Sequence, residues 1–174
     1  MKPKEYRIRT ALIVPHLVCT LMALGLLGTS WHQGEPPGRL FIPALLALLF
    51  TFLTINILSR RLRIDDRGIT QRRLYGAKTL SFEEILRFDA TRMRKRVFFA
   101  LSSAESYLLF SNAYGDLKDL IHTLIQRLPA AAIGEDIPPL AENPPLHLGS
   151  IVTLWLMAGI LGVGIFLQIQ PLLS

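Results

Sequence analysis

Three long apolar runs constrain this chain more than any other feature of its sequence. They cover residues 11–31, 40–59 and 148–170, and none of them contains Asp, Glu, Lys or Arg. A helix rises ~1.5 Å per residue, so about twenty residues cross a hydrocarbon core of ~30 Å. The composition agrees, because 51% of the residues are hydrophobic and the mean hydropathy is +0.38. We therefore predict a membrane protein with three transmembrane helices.

The first apolar run has an alternative interpretation as a secretory signal. Ala23 and Gly25 are small enough for a cleavage site. The apolar run nevertheless continues through Leu26 and Leu27, which makes it longer than the apolar region of a typical signal. We predict an uncleaved span at 11–31.

The basic residues beside the spans predict the orientation of the chain. Four precede the first span and three follow the second: Lys2, Lys4, Arg7, Arg9, Arg60, Arg61 and Arg63. The short segment 32–39 carries only Arg39, which Glu35 balances. The positive-inside bias then puts the basic N-terminus, residues 1–10, and the central segment in the cytoplasm. The loop 32–39 and the tail 171–174 are expected outside.

The central segment 60–128 has short apolar runs separated by turn signals, as antiparallel strands do. Residues 65–68 predict a turn in which Gly68 takes a positive φ, and residues 76–78 predict a second turn. The predicted strands are 62–64, 69–75, 79–82, 85–91, 97–101 and 107–110.

A helical period replaces the strand pattern after residue 116. One apolar stripe is formed by Leu117, Leu120, Ile121, Leu124, Ile125 and Leu128. That spacing predicts an amphipathic helix of about four turns. The expected fold is a small α+β domain, a bent antiparallel β-sheet or small open barrel whose open side this helix covers.

Two short motifs give the central segment a family resemblance. Residues 64–69 and 80–85, followed by the closing helix, resemble the bacterial pleckstrin-homology-like (PH-like) domains of small membrane proteins. In that family a glycine–hydrophobic pair, here Gly68 and Ile69, opens a strand. An aromatic residue, two further residues and Ile mark the next strand; Phe82 and Ile85 match this, although many relatives have Trp at the aromatic position. The resemblance covers residues 60–128.

The resemblance implies a PH-like fold, a binding or scaffolding role and no catalytic residues. It also implies a bacterial protein, for which the spans predict the inner (plasma) membrane.

Residues 129–147 form a connection to the third span and include five prolines. Proline-rich segments are extended and semi-rigid, so we predict an extended linker there. Its net charge is −3, whereas residues 60–128 carry fourteen basic and eight acidic residues, a net charge of +6.

The candidate binding site is a basic cluster far from either span in sequence. It consists of Arg92, Arg94, Lys95 and Arg96, supported by Arg72 and Arg73. Such a cluster attracts anionic membrane lipid or an acidic protein face. Near the second span the same chemistry also fits a purely topogenic role for Arg60, Arg61 and Arg63. The cluster lacks interleaved aromatic residues that could stack on bases, so nucleic acid is not an expected partner.

Small residues on the third span predict close helix packing. Ala158 and Gly162 form a small-xxx-small pair, which Gly159 and Gly164 extend. Cys19 and Ala23 form a weaker pair on the first span. The partner helix lies either in this chain or in another protein, including a second copy of the chain.

The sequence provides no constellation for catalysis. His16 in the first span could relay protons or bind haem, but the sequence favours a neutral histidine bonded to a neighbouring helix. The other histidines, His32, His122 and His147, lack zinc-ligand spacing, and the chain contains one cysteine. No phosphate loop, dinucleotide fingerprint or G-x-S-x-G motif is present.

We therefore expect a non-catalytic membrane-anchored scaffold or accessory subunit without cofactor or metal. An anionic-phospholipid sensor and a subunit of a transporter or membrane enzyme remain alternatives.

Overall fold

The computed structural model describes residues 3–93, 96–144 and 148–173, with side chains as far as residue 170. It divides into two compact units, which are described separately. One contains Met1–Arg9 and Leu58–His147, and the other contains Thr10–Ile57 and Leu148–Ser174.

The elements follow one another along the chain as five helices and seven strands within the described ranges. In order they are β1 (Lys4–Arg7), α1 (Thr10–His32), α2 (Pro37–Ser59), β2 (Arg61–Ile64), β3 (Gly68–Arg73), β4 (Gly76–Ser81), β5 (Arg87–Met93), β6 (Arg96–Ser102), β7 (Tyr107–Ser111), α3 (Leu117–Arg127), α4 (Ile137–Glu142) and α5 (Leu148–Leu173).

Helices α1, α2 and α5 form the apolar unit. Each provides a 23-residue stretch with a mean hydropathy between 2.1 and 2.3, long and apolar enough to cross a membrane. The three predicted helices are thus confirmed. Their shared core contains small residues at the contacts, which allows close backbone approach. The buried members are Cys19, Ala23, Ala47, Phe50, Ala158 and Leu161.

The other unit contains two antiparallel sheets. The first has the order β1-β2-β3-β4 and the second has the order β5-β6-β7. The strands predicted within residues 60–128 are all present, with ends shifted by a few residues. The described strands form two separate sheets instead of the predicted single bent sheet or open barrel, and they close no barrel; the general α+β class fits.

Strand β1 corrects the prediction that residues 1–10 are only a basic tail. Lys4–Arg7 pairs antiparallel with Arg61–Ile64. Tyr6 and Ile8 are only 5% and 6% exposed. Burying these two side chains stabilises a strand that is otherwise charged. The α1–α2 hairpin is therefore an insertion between two neighbouring strands of one sheet.

Aromatic residues of the second sheet and the apolar stripe of α3 form the core of this unit. Phe99 stacks on Phe110 with ring centroids 5.1 Å apart, and Phe88 lies 6.2 Å from Phe99. Leu120 and Leu124 of α3 are fully buried. The predicted amphipathic helix is confirmed.

Gly68 is needed for a different reason from the one predicted. Its φ is not positive; among the described glycines only Gly34 and Gly76 have positive φ values. Instead, Asp65 accepts hydrogen bonds from the backbone N–H groups of Arg67 and Gly68 at 3.0 and 3.1 Å. The strand then passes so close to β4 that a Cβ on Gly68 would lie 2.1 Å from the carbonyl oxygen of Leu80.

The unit that contains the two sheets, Met1–Arg9 and Leu58–His147, is called the extramembrane unit below. We expect Gly68→Ala to destabilise it by about 1–3 kcal/mol, because the clash involves backbone that cannot rotate away. Urea denaturation followed by circular dichroism would measure the change. Gly115→Ala is the matched control, since its Cβ would meet its nearest atom at 3.4 Å. Equal losses in both variants would contradict the close-approach explanation.

The second predicted turn and the linker also need correction. The β3–β4 turn lies at Leu74 and Tyr75 and not at the predicted 76–78, because Gly76 already pairs with Arg73. The linker is not simply extended: it forms α4, whose first turn contains Pro138 and Pro139. Proline is tolerated in a first helical turn, where the N–H has no partner within the helix. Ile137 is fully buried, so part of the linker belongs to the core.

Candidate anion-binding surface

The outer face of the first sheet is rich in arginine. Alternation along the strands turns Tyr6, Leu62 and Ile69 inward, where they are buried. On each strand, the residues next to these inward-facing ones point outward. This outer face carries Arg7 from β1, Arg61 and Arg63 from β2, and Arg72 from β3.

Three of these arginines occupy one cross-strand row. Arg7 pairs with Arg61, and Arg61 pairs with Arg72, in consecutive antiparallel ladders. Neighbouring strands lie about 4.8 Å apart, and like charges directly opposite each other destabilise a sheet. We call Arg7, Arg61 and Arg72 the arginine row. The positive charge concentrated in this row destabilises the sheet.

One carboxylate partly compensates the row. An oxygen of Glu5 accepts hydrogen bonds from Arg7 at 3.0 Å and from Arg61 at 3.3 Å. The hydrogen bond from Arg7 is the main cause that lowers the pKa of Glu5. Within the described parts of the chain, Arg63 and Arg72 form no ion pair. A groove over this face is lined by Glu5, Arg61, Arg63, Thr70 and Arg72, among others.

The predicted basic cluster is only partly visible in the structure. Arg92 lies on β5 and Arg96 on β6, on either side of the β5–β6 hairpin, where Met93 pairs with Arg96. Arg94 and Lys95 lie outside the described residues. The supporting pair is on the other sheet, at the end of β3.

Arg72 and Arg73 have different surroundings despite being neighbours. Arg72 belongs to the arginine row. Arg73 donates to the side-chain oxygen of Gln71 at 2.9 Å and to the carbonyl oxygen of Leu109 at 3.1 Å. Gln71 also donates to that carbonyl, at 2.9 Å. Arg73 thus connects the two sheets, whereas Arg72 remains exposed to solvent.

A polar cluster joins β1 to α3. The ammonium group of Lys4 donates to Asp119 at 2.8 Å, and the hydroxyl of Tyr6 donates to the same carboxylate at 2.6 Å. These two hydrogen bonds, that of Lys4 first, lower the pKa of Asp119. Burial, followed by the bond to Asp119, raises the pKa of Tyr6. The cluster attaches the N-terminal strand to a helix more than one hundred residues away.

We expect acid to weaken this attachment. The folded pKa of Asp119 is lower than its ordinary value of 3.8, so its contribution is complete above that value and is lost as pH falls through the folded pKa. Asp119 is about half exposed, so its loss should cost about 1 kcal/mol. Asp119→Asn should therefore lower the midpoint of urea denaturation at pH 7. The difference in midpoint between wild type and variant should be smaller at pH 3. Asp116→Asn is the control; an equal effect there would contradict the assignment.

The predicted packing residues of α5 mostly face α1 within the same chain. A Cβ on Gly162 would lie 3.6 Å from Cε of Met22, and one on Gly164 would lie 3.8 Å from Leu26. Ala158 is 3% exposed. Gly159 differs, because a Cβ there would meet nothing within 4 Å. Three of the four small residues are thus used inside the chain.

Among the described residues, the imidazole of His16 bonds within its own helix and not, as the sequence suggested, to a neighbouring helix. Its Nδ1 donates to the carbonyl oxygen of Leu12, one turn earlier in α1, at 2.7 Å. Two threonines make a polar contact between α1 and α2: the hydroxyls of Thr20 and Thr54 lie 2.8 Å apart, and that of Thr20 also donates to the carbonyl of Phe50. Among the described residues, no group of three or more His, Cys, Asp and Glu side chains could hold a metal ion.

No family model, curated protein or solved structure matches this chain.

Proposed function

We propose that the protein is a non-catalytic module anchored in a membrane, which serves as a scaffold or accessory subunit of a larger membrane assembly. Its extramembrane unit would present a binding surface at a fixed place beside the bilayer. Anchoring at several points raises effective concentration without requiring high intrinsic affinity.

The observation that carries the proposal is the insertion of the α1–α2 hairpin between β1 and β2. Arg7 pairs with Arg61, and the chain between them contains both helices. The extramembrane unit is thus joined to three helices that are long and apolar enough to cross a membrane, through residues 9–10, 57–58 and 147–148. Three connections restrict rotation much more than a single tether does.

The same pairing supports the proposed orientation. Strands that pair must lie on one side of the bilayer, and two crossings by α1 and α2 return the chain to that side. Lys4, Arg7, Arg61 and Arg63 border these crossings, so the positive-inside bias favours a cytoplasmic extramembrane unit. The third crossing then takes the C-terminus outside.

A PH-like fold remains part of the proposal. It is supported by seven antiparallel strands in two sheets, followed by the amphipathic α3. Gly68 and Ile85, two of the motif residues, are buried. We propose a bacterial inner-membrane location on the same resemblance.

The test is the mass of the full chain, extracted with a mild detergent and measured by light scattering on a sizing column. A scaffold or accessory subunit should elute with a second protein at a fixed ratio, well above its own 19.5 kDa. A monomer alone in detergent would contradict that role. Recovery of monodisperse chain in buffer without detergent would contradict membrane anchoring.

A further inference from the structure

We propose that the outer face of the first sheet binds the phosphate groups of anionic phospholipids, with Arg61, Arg63 and Arg72 as the principal ligands and Arg7 at the border. The inference rests on the proposed membrane anchoring and deepens it. It assigns the lipid contact to this face rather than to the β5–β6 hairpin that carries Arg92.

The first argument is charge. Four guanidinium groups face outward from three neighbouring strands, against the single carboxylate of Glu5. Glu5 bonds to Arg7 and Arg61 and leaves Arg63 and Arg72 without an ion pair among the described residues. A bound phosphate would relieve the repulsion between the guanidinium groups of the arginine row. The repulsion that destabilises the free fold would then favour phosphate binding.

The second argument is shape and chemistry. Guanidinium groups recognise phosphate oxygens through paired N–H donors, and strands about 4.8 Å apart place such groups within reach of one phosphate. The groove over the row provides the concavity. Thr70 and Thr79, whose hydroxyls lie 3.0 Å apart on the same face, offer further donors.

The third argument favours a lipid over an acidic protein. Arg61 follows the end of α2 by two residues, and Arg7 precedes the start of α1 by three. An extended chain covers at most about 3.5 Å per residue, so both lie within about 10 Å of helix ends. The headgroup layer of a bilayer is about 5–8 Å thick on each side. Chain connectivity therefore keeps this row beside lipid phosphates.

The experiment compares the reactivity of individual arginines in the full chain, reconstituted into nanodiscs. Phenylglyoxal modification is followed by mass spectrometry in discs of phosphatidylcholine and in discs with 30% phosphatidylglycerol. We expect Arg61, Arg63 and Arg72 to react several-fold more slowly in the anionic discs, and 0.5 M NaCl to remove most of that protection. Arg92 serves as the internal control and should react alike in both discs.

Matched variants test the same face independently. Arg72→Gln and Arg63→Gln should each weaken retention of phosphatidylglycerol about fivefold in native mass spectrometry, as expected for one basic residue near a lipid surface. Arg92→Gln should leave retention unchanged. The variants alter exposed side chains, so circular dichroism should show an unchanged fold.

Each outcome decides the inference. Equal reactivity in both discs, or loss of retention only in Arg92→Gln, would overturn it while leaving membrane anchoring intact. Protection by 10 mM inorganic phosphate in phosphatidylcholine discs, equal to that by phosphatidylglycerol, would overturn the lipid assignment in favour of a soluble phosphate compound. A chain that fails to enter nanodiscs would overturn the proposed function itself.

Discussion

A soluble chain made of residues 1–9, a six-residue Gly/Ser loop and residues 58–147 should fold in plain buffer, and removal of residues 1–9 should destabilise it strongly. The loop replaces the α1–α2 hairpin between paired strands that are already neighbours. Removing residues 1–9 loses the burial of the Tyr6 and Ile8 side chains. Burial of each side chain stabilises the fold by about 1.5–3 kcal/mol. The total, about 3–6 kcal/mol, is a large part of the 5–15 kcal/mol that stabilises a typical domain.

Far-UV circular dichroism and urea denaturation would measure both chains. The control carries Glu5→Gln and Arg7→Gln, which change the outward face of β1 but keep its buried residues; it should stay folded. A truncated chain as stable as the longer one would show that β1 is a peripheral addition. That result would contradict the stabilising role that we assign to the buried Tyr6.

Phe99→Ala should be among the most damaging single substitutions in the extramembrane unit, at about 3–5 kcal/mol. Phe99 is fully buried; its ring stacks on Phe110 and lies 6.2 Å from the tilted ring of Phe88. Its truncation leaves a cavity among rings that belong to three different strands, so the backbone cannot close over it. The midpoint of urea denaturation of the soluble chain would report the loss.

Two matched variants distinguish this effect from a general sensitivity of the sheet. Phe98→Ala changes the adjacent, half-buried residue of β6 and should cost less than half as much. Tyr114→Phe should change stability by about 1 kcal/mol or less, because the buried Tyr114 hydroxyl makes no hydrogen bond of good geometry to any described residue. A Phe98→Ala loss equal to that of Phe99→Ala would contradict the proposed core.

The parts of the fold that local patterns determine were predictable from the sequence. The three long helices follow from apolar length, α3 follows from its 3.6-residue period, and β2 to β7 follow from alternation between turn signals. In each case, the signal lies within the element itself. The turn at Asp65 was predicted correctly. The role of Gly68 was assigned incorrectly, because it depends on the close approach of the neighbouring strand β4.

The features that were missed depend on partners far away in sequence. Lys4–Arg7 contains one apolar residue and becomes a strand only because β2, more than fifty residues later, pairs with it. Likewise, helix α4 forms because Ile137 is buried, whereas its prolines by themselves favour an extended chain. The arginine row needs the register of three strands, so no single stretch of sequence reveals it.

The insertion of α1 and α2 between two paired strands also imposes an order of events during synthesis. Strand β1 leaves the ribosome first, but it must wait for both helices and then for β2 before it has a partner. If both helices cross the bilayer as proposed, pairing succeeds only when an even number of crossings separates the two strands. A chain whose second helix failed to insert would keep Tyr6 and Ile8 exposed to solvent. In the proposed topology, completion of the sheet therefore requires correct insertion of the hairpin, and a wrongly threaded molecule would be less stable and more open to proteolysis.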